Sequence, residues 1–118
     1  MKQSIWTLGL VAALAVGCKS SSVPPARVAS TEAAVKSARE AGADRVPDAQ
    51  ARLKAAEDQL VMAKRLIDKG ETGEVEGLLT RAESDAALAA ALSYEAQQKA
   101  ATEAEKQPVR AKQPPGKR

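Results

Sequence analysis

Apolar residues in the middle of this chain recur at steps of four and three, and that spacing leaves few folds open. Ala49, Leu53, Ala56, Leu60, Ala63 and Ile67 follow it, and so do Val75, Leu79, Ala82, Ala86, Ala89, Ser93, Ala96 and Ala100. An alternating four–three step keeps one narrow stripe of a helix facing a neighbour, which is the seam of a coiled coil. Composition agrees. Between Ser30 and Glu105 there are 20 alanines against 13 Leu, Ile, Val and Met, and alanine is the best helix former.

Two breaks divide this stretch. Gly42-Ala43-Asp44-Arg45-Val46-Pro47 combines a helix-stopping glycine, a capping Asp44 and a first-turn Pro47. Gly70-Glu71-Thr72-Gly73 offers a second stop, with Thr72 as the next N-cap. The spacing therefore predicts helices over 30–42, 47–69 and 73–105. The second loop is so short that the two long helices must fold back antiparallel. The expected fold is all-α: a helical hairpin, with the shorter N-terminal helix completing a three-helix bundle through Ala34, Val35, Ala38 and Ala41. Met62, Leu66, Leu78, Leu88 and Leu92 lie off the main seam, where a third helix would need them. Alanine seams let helix axes approach toward the short end of the 8–10 Å range. They bury little area at about 25 cal/mol per Å², so the core is thin.

The amino terminus is of another kind. Lys2 precedes an apolar run of 12 residues, Ile5 to Val16, too short to span a bilayer, which takes about 20. A basic start, a short apolar run and small residues at its end form a signal-peptide pattern. Leu14-Ala15-Val16-Gly17-Cys18 resembles a lipobox, in which the cysteine takes a diacylglyceryl group before cleavage ahead of it. It departs from that pattern in having Ala15, not leucine, three places before the cysteine. The resemblance implies a signal peptide over 1–17, a lipid on Cys18, and attachment to a membrane through it. Residues 18–29, with Lys19-Ser20-Ser21-Ser22-Val23-Pro24-Pro25, read as a flexible tether. Lipoproteins kept in the inner membrane of Gram-negative cells often carry Asp after the cysteine. Lys19 therefore implies an outer-membrane address facing the periplasm.

Charge separates the remaining parts. Residues 30–105 hold all 15 acidic and 10 basic residues, whereas 106–118 carry Lys106, Arg110, Lys112, Lys117 and Arg118 with no acid. With three prolines, that tail is expected to be disordered and to contact an anionic surface: peptidoglycan, lipid headgroups or the acidic domain itself. The chain has no histidine and one cysteine, which removes the commonest general base, the commonest metal ligand and any internal disulfide. The expectation is a non-enzyme without metal or cofactor. Nothing interleaves aromatics with the basic residues, so nucleic acid is not an expected partner. Arg81, Glu83 and Asp85 read as a solvated face with local pairs. Tyr94, the one aromatic after Cys18, reads as packing at the open end of the hairpin. Gly70 and Gly73 read as turn glycines.

A family resemblance rests on Ala38-Arg39-Glu40-Ala41-Gly42-Ala43 with Pro47, then Ala56, Leu60, Ala63, Gly70 and Ala82-Glu83-Ser84-Asp85-Ala86-Ala87-Leu88-Ala89. Across roughly residues 30–100 the chain resembles the alanine-rich helical family of envelope lipoproteins known as domain of unknown function 4398. That likeness implies a short helical lipoprotein and carries no catalytic residues across. The expected role is structural or adaptor, a helical bundle presented in the periplasm to a protein partner or to peptidoglycan. The alternative is a murein-lipoprotein-like oligomeric tether, a homo-oligomer meeting peptidoglycan through the basic tail. Against it stand the glycine breaks and a final Arg118 where such tethers end in lysine.

Overall fold

A computed structural model describes residues 22–111, with side chains through 107. Its elements are α1 (Pro25–Glu40), a single 3-10 turn (Ala43–Arg45), α2 (Pro47–Asp68) and α3 (Val75–Ala111). The fold is an all-α three-helix bundle. Arg39 of α1 reaches Glu57 of α2 while Glu32 meets Lys64, so those two helices are antiparallel. Arg27 meets Glu76 and Glu83 while Gln97 reaches Ala41, so α1 and α3 run parallel. The topology is up, down, up.

Both turns use glycine where the backbone must go left-handed. Gly42 has φ 86° and its N–H donates to the Arg39 carbonyl at 2.8 Å. Gly70 has φ 75°, with N–H groups of Gly70 and Glu71 donating to Ile67 and Leu66, both at 2.9 Å. The second pattern is a Schellman cap, which satisfies carbonyls that helix α2 leaves unpaired. Pro25 and Pro47 each open a helix at its first positions, where a missing N–H costs nothing. Neither Asp44 nor Thr72 caps as expected. Val46 is the N-cap of α2 without a side-chain bond, and the Thr72 carbonyl, not its hydroxyl, accepts from Val75 N–H at 3.3 Å.

The core is the one the spacing dictates. Ala49, Leu53, Ala56, Leu60 and Ala63 are buried against Val75, Leu79, Ala82, Ala86 and Ala89, with Val35 and Ala38 of α1 beside them. Ser93 lies at a seam position and is fully buried, its hydroxyl donating to the Ala89 carbonyl at 2.8 Å. Ile67 and Ala96 are half-buried, and Ala100 is exposed.

Several boundaries differ from the sequence reading. Helix α1 starts at Pro25, so the helix takes up residues 25–29 of the expected tether. The proline pair marks a helix start there, and Arg27 fixes the first turn to α3. Helix α3 continues to Ala111, past the expected end at Glu105 and through Pro108. Of the off-seam residues, Leu66, Leu78 and Leu92 pack against the core, but Met62 and Leu88 are 47% and 41% exposed. Tyr94 is 54% exposed and so is not packed at the open end of the hairpin.

Candidate functional site

The described helices converge on polar groups in one place above all, the junction of α1 with α3. Arg27 sits in the first turn of α1, one helical turn before Thr31, and both face α3. Its guanidinium donates to Glu76 at 2.8 Å, to Glu83, and to the Thr80 hydroxyl at 3.4 Å. The Ser30 and Thr31 hydroxyls also lie 3.0 Å from the Glu83 carboxylate. Thr31 is fully buried, and its hydroxyl stands 3.0 Å from the Arg27 carbonyl as well. A carboxylate accepting from a guanidinium and two hydroxyls favours its charged form. Accordingly the Arg27 hydrogen bond, aided by Ser30 and Thr31, holds the Glu83 carboxyl below its ordinary range, while Glu76 and Glu83 raise Arg27.

This cluster corrects one expectation. Glu83 and Asp85 do not pair locally: Glu83 joins α3 to α1, and Asp85 joins α3 to α2 through Gln59 at 2.8 Å and Arg52 at 3.3 Å. The partners stand 56, 26 and 33 residues away in sequence, which no local spacing rule reaches. All of this chemistry is acid, guanidinium, amide and hydroxyl, arranged to fix helices to one another. Among the described residues no group of His, Cys, Asp and Glu could hold a metal ion.

Near the start of α1 lies a shallow groove of about 410 Å³ lined by Val23, Pro25, Val28 and Ile67, with Lys64 and Glu32 paired at its edge. From here the chain leads back toward Cys18. Cys18 itself lies outside the described residues, as do Lys112, Lys117 and Arg118. Of the expected anionic-surface contacts, Lys106 is exposed on α3 and Arg110 belongs to the same helix. Of the predicted site residues the described part of the chain thus places two, Lys106 and Arg110, four residues apart on α3. From Gln97, whose amide donates to the carbonyl of Ala41 just past α1, residues 97–107 are all exposed. The end of α3 projects about 21 Å beyond the bundle at 1.5 Å per residue. No described helix is long and apolar enough to cross a membrane. Comparisons with protein-family models, curated proteins and solved structures give no match.

Proposed function

We propose that this chain is a lipid-anchored cell-envelope protein with a structural or adaptor role and no catalytic one, holding a helical bundle at a membrane through Cys18. The observation that carries the reading is Leu14-Ala15-Val16-Gly17-Cys18 closing a 12-residue apolar run that follows Lys2. Other features support it. The first helix begins at Pro25, so only six residues separate it from Cys18. The start of α1 and the α2–α3 turn share one end of the bundle, since Arg27 meets Glu76 there. In this reading that end faces the membrane, and Lys19 directly after the cysteine fits an outer-membrane, periplasm-facing address. Two or more acyl chains would hold such a domain stably where one would be marginal.

The alternative, a tether that meets peptidoglycan through its basic end, gains from one observation. Lys106 lies 31 residues along α3 from Val75, about 47 Å from the anchor end. An electropositive tip held that far out faces away from the headgroups of its own membrane.

Intact-mass measurement of the mature chain extracted from cells tests the anchor. The expected product begins at Cys18 and carries diacylglyceryl and acyl groups. A mature chain beginning elsewhere, or with an unmodified Cys18 thiol, would overturn the reading. The same preparation should pellet with purified peptidoglycan at low salt and be released at high salt if the tether reading holds, because screening shortens the Debye length from about 10 Å to about 3 Å.

A further inference from the structure

Helix α1 covers only one side of the hairpin. It contacts the side marked by Glu57 and Lys64 of α2 and by Glu76, Glu83 and Gln97 of α3. At 100° per residue, Met62 and Leu66 of α2 and Leu78, Leu88 and Leu92 of α3 project from the opposite side. That side is left open: Met62 and Leu88 are 47% and 41% exposed, and the three leucines Leu66, Leu78 and Leu92 are half-buried. The open face carries apolar residues along both helices, with Glu74 and Arg81 beside Leu78 on α3 and with Arg52, Gln59 and Asp85 crossing it at mid-height.

We infer that this face is where a second copy of the same chain docks, with α2 of each copy lying against α3 of the other. The charges on this face select that occupant. Gln59 and Arg52 both reach Asp85, so residues at one level of the hairpin have numbers summing to about 140. When the two-fold axis runs parallel to the helices, each level of α2 meets the same level of α3 in the partner. Lys69 then faces the partner's Glu74, and Asp58 faces the partner's Arg81, each contact occurring twice. Among the described residues Lys69, Glu74 and Arg81 have no ion-pair partner, and Asp58 has only Lys54 one turn before it. The same rule sets Asp48 level with the partner's Glu95, where Lys99, 2.7 Å from Glu95, supplies the opposite charge. A face that matches itself in this way under one rotation is the signature of an isologous dimer.

Size and direction agree. The 22 residues of α2 give a face about 33 Å long, and two helices make it about 18 Å wide. Counted on both copies, that is roughly 1,200 Å², the lower end of what stable complexes bury. The same axis puts both amino termini at one end, as two chains held by one membrane require. That last point rests on the proposed anchor; the apolar face and the charge match do not.

Sedimentation of the full chain in detergent micelles tests the inference. At tens of micromolar the wild type should be a dimer, and so should Cys18→Ser, which separates this result from the fate of the anchor. Met62→Glu should give a monomer with unchanged helicity, since the side chain is half-exposed and its loss leaves the bundle intact. Lys69→Glu should raise the dimer Kd about tenfold, and Lys69→Glu with Glu74→Lys should restore it. A wild-type monomer at that concentration, including one whose Met62 face is instead shielded by a different protein, would overturn the inference. So would a dimer that neither Met62→Glu nor Lys69→Glu weakens.

Discussion

The two helix junctions of this bundle are built from opposite materials. Between α2 and α3 the contact is chiefly a ladder of alanine, leucine and valine from Ala49 to Ala89, every member buried, with Asp85 bonded to Gln59 and Arg52 only along its open side. Between α1 and α3 the contact narrows to Val35, Ala38 and Thr31, and the rest is a guanidinium, two carboxylates and three hydroxyls around Arg27 and Glu83. An apolar ladder supplies stability through area and is indifferent to pH. A polar cluster contributes less net energy but leaves a large penalty when one partner is lost, so it specifies a position. The hairpin therefore stands as the scaffold. Helix α1, the segment joined to Cys18, is a fastened element whose place is set by hydrogen bonds.

The largest blow to this contrast should come at the ladder. Leu79 is among the largest fully buried side chains, so Leu79→Ala should cost about 2–5 kcal/mol by thermal or urea unfolding, and should lower the stability of all three helices together. A loss confined to one helix would mean that the ladder is not the common support.

A smaller and more local effect should follow at the fastening. Glu83→Gln removes the charge that Arg27, Ser30 and Thr31 address, and should loosen α1 while leaving the α2–α3 hairpin folded. Acid should do the same to the wild type. The Glu83 carboxyl is held below its ordinary value of 4.5 by Arg27, so more protons bind in the unfolded state. Its contribution is complete above that ordinary value and fades as the pH falls through the lower, folded one. Circular dichroism titrated below pH 5 should show an acid-weakened step in the wild type that Glu83→Gln has already lost. Identical acid profiles for the two would remove Glu83 from the account.

The contrast also separates what the residues announce from what only the fold reveals. Seam positions from Ala49 to Ser93 are legible because a four–three step needs no knowledge of the partner. Gly42, Gly70 and Pro47 are legible because backbone geometry restricts which residues serve there. The Arg27–Glu83 fastening is not, since its partners stand 56 residues apart and meet only once α1 lies parallel to α3. Nor is the side of the hairpin that α1 covers. The leucines at 66, 78, 88 and 92 point to one side, yet α1 brings few large apolar groups of its own and takes the side where its arginines find glutamates. Helix α1 also starts early because Pro24-Pro25 suits both a tether and a first helical turn, and sequence pattern alone does not choose between them.

Native-state hydrogen exchange on the full chain tests the division of labour most directly. The amides of Leu53–Ala63 and Leu79–Ala89, which line the seam, should exchange only through global unfolding. Those of Val28–Ala38 in α1 should open in a separate, lower-energy step that acid or Glu83→Gln lowers further. Equal protection of all three helices, lost together and unmoved by Glu83→Gln, would contradict the claim that α1 is held by a polar fastening to a self-sufficient hairpin.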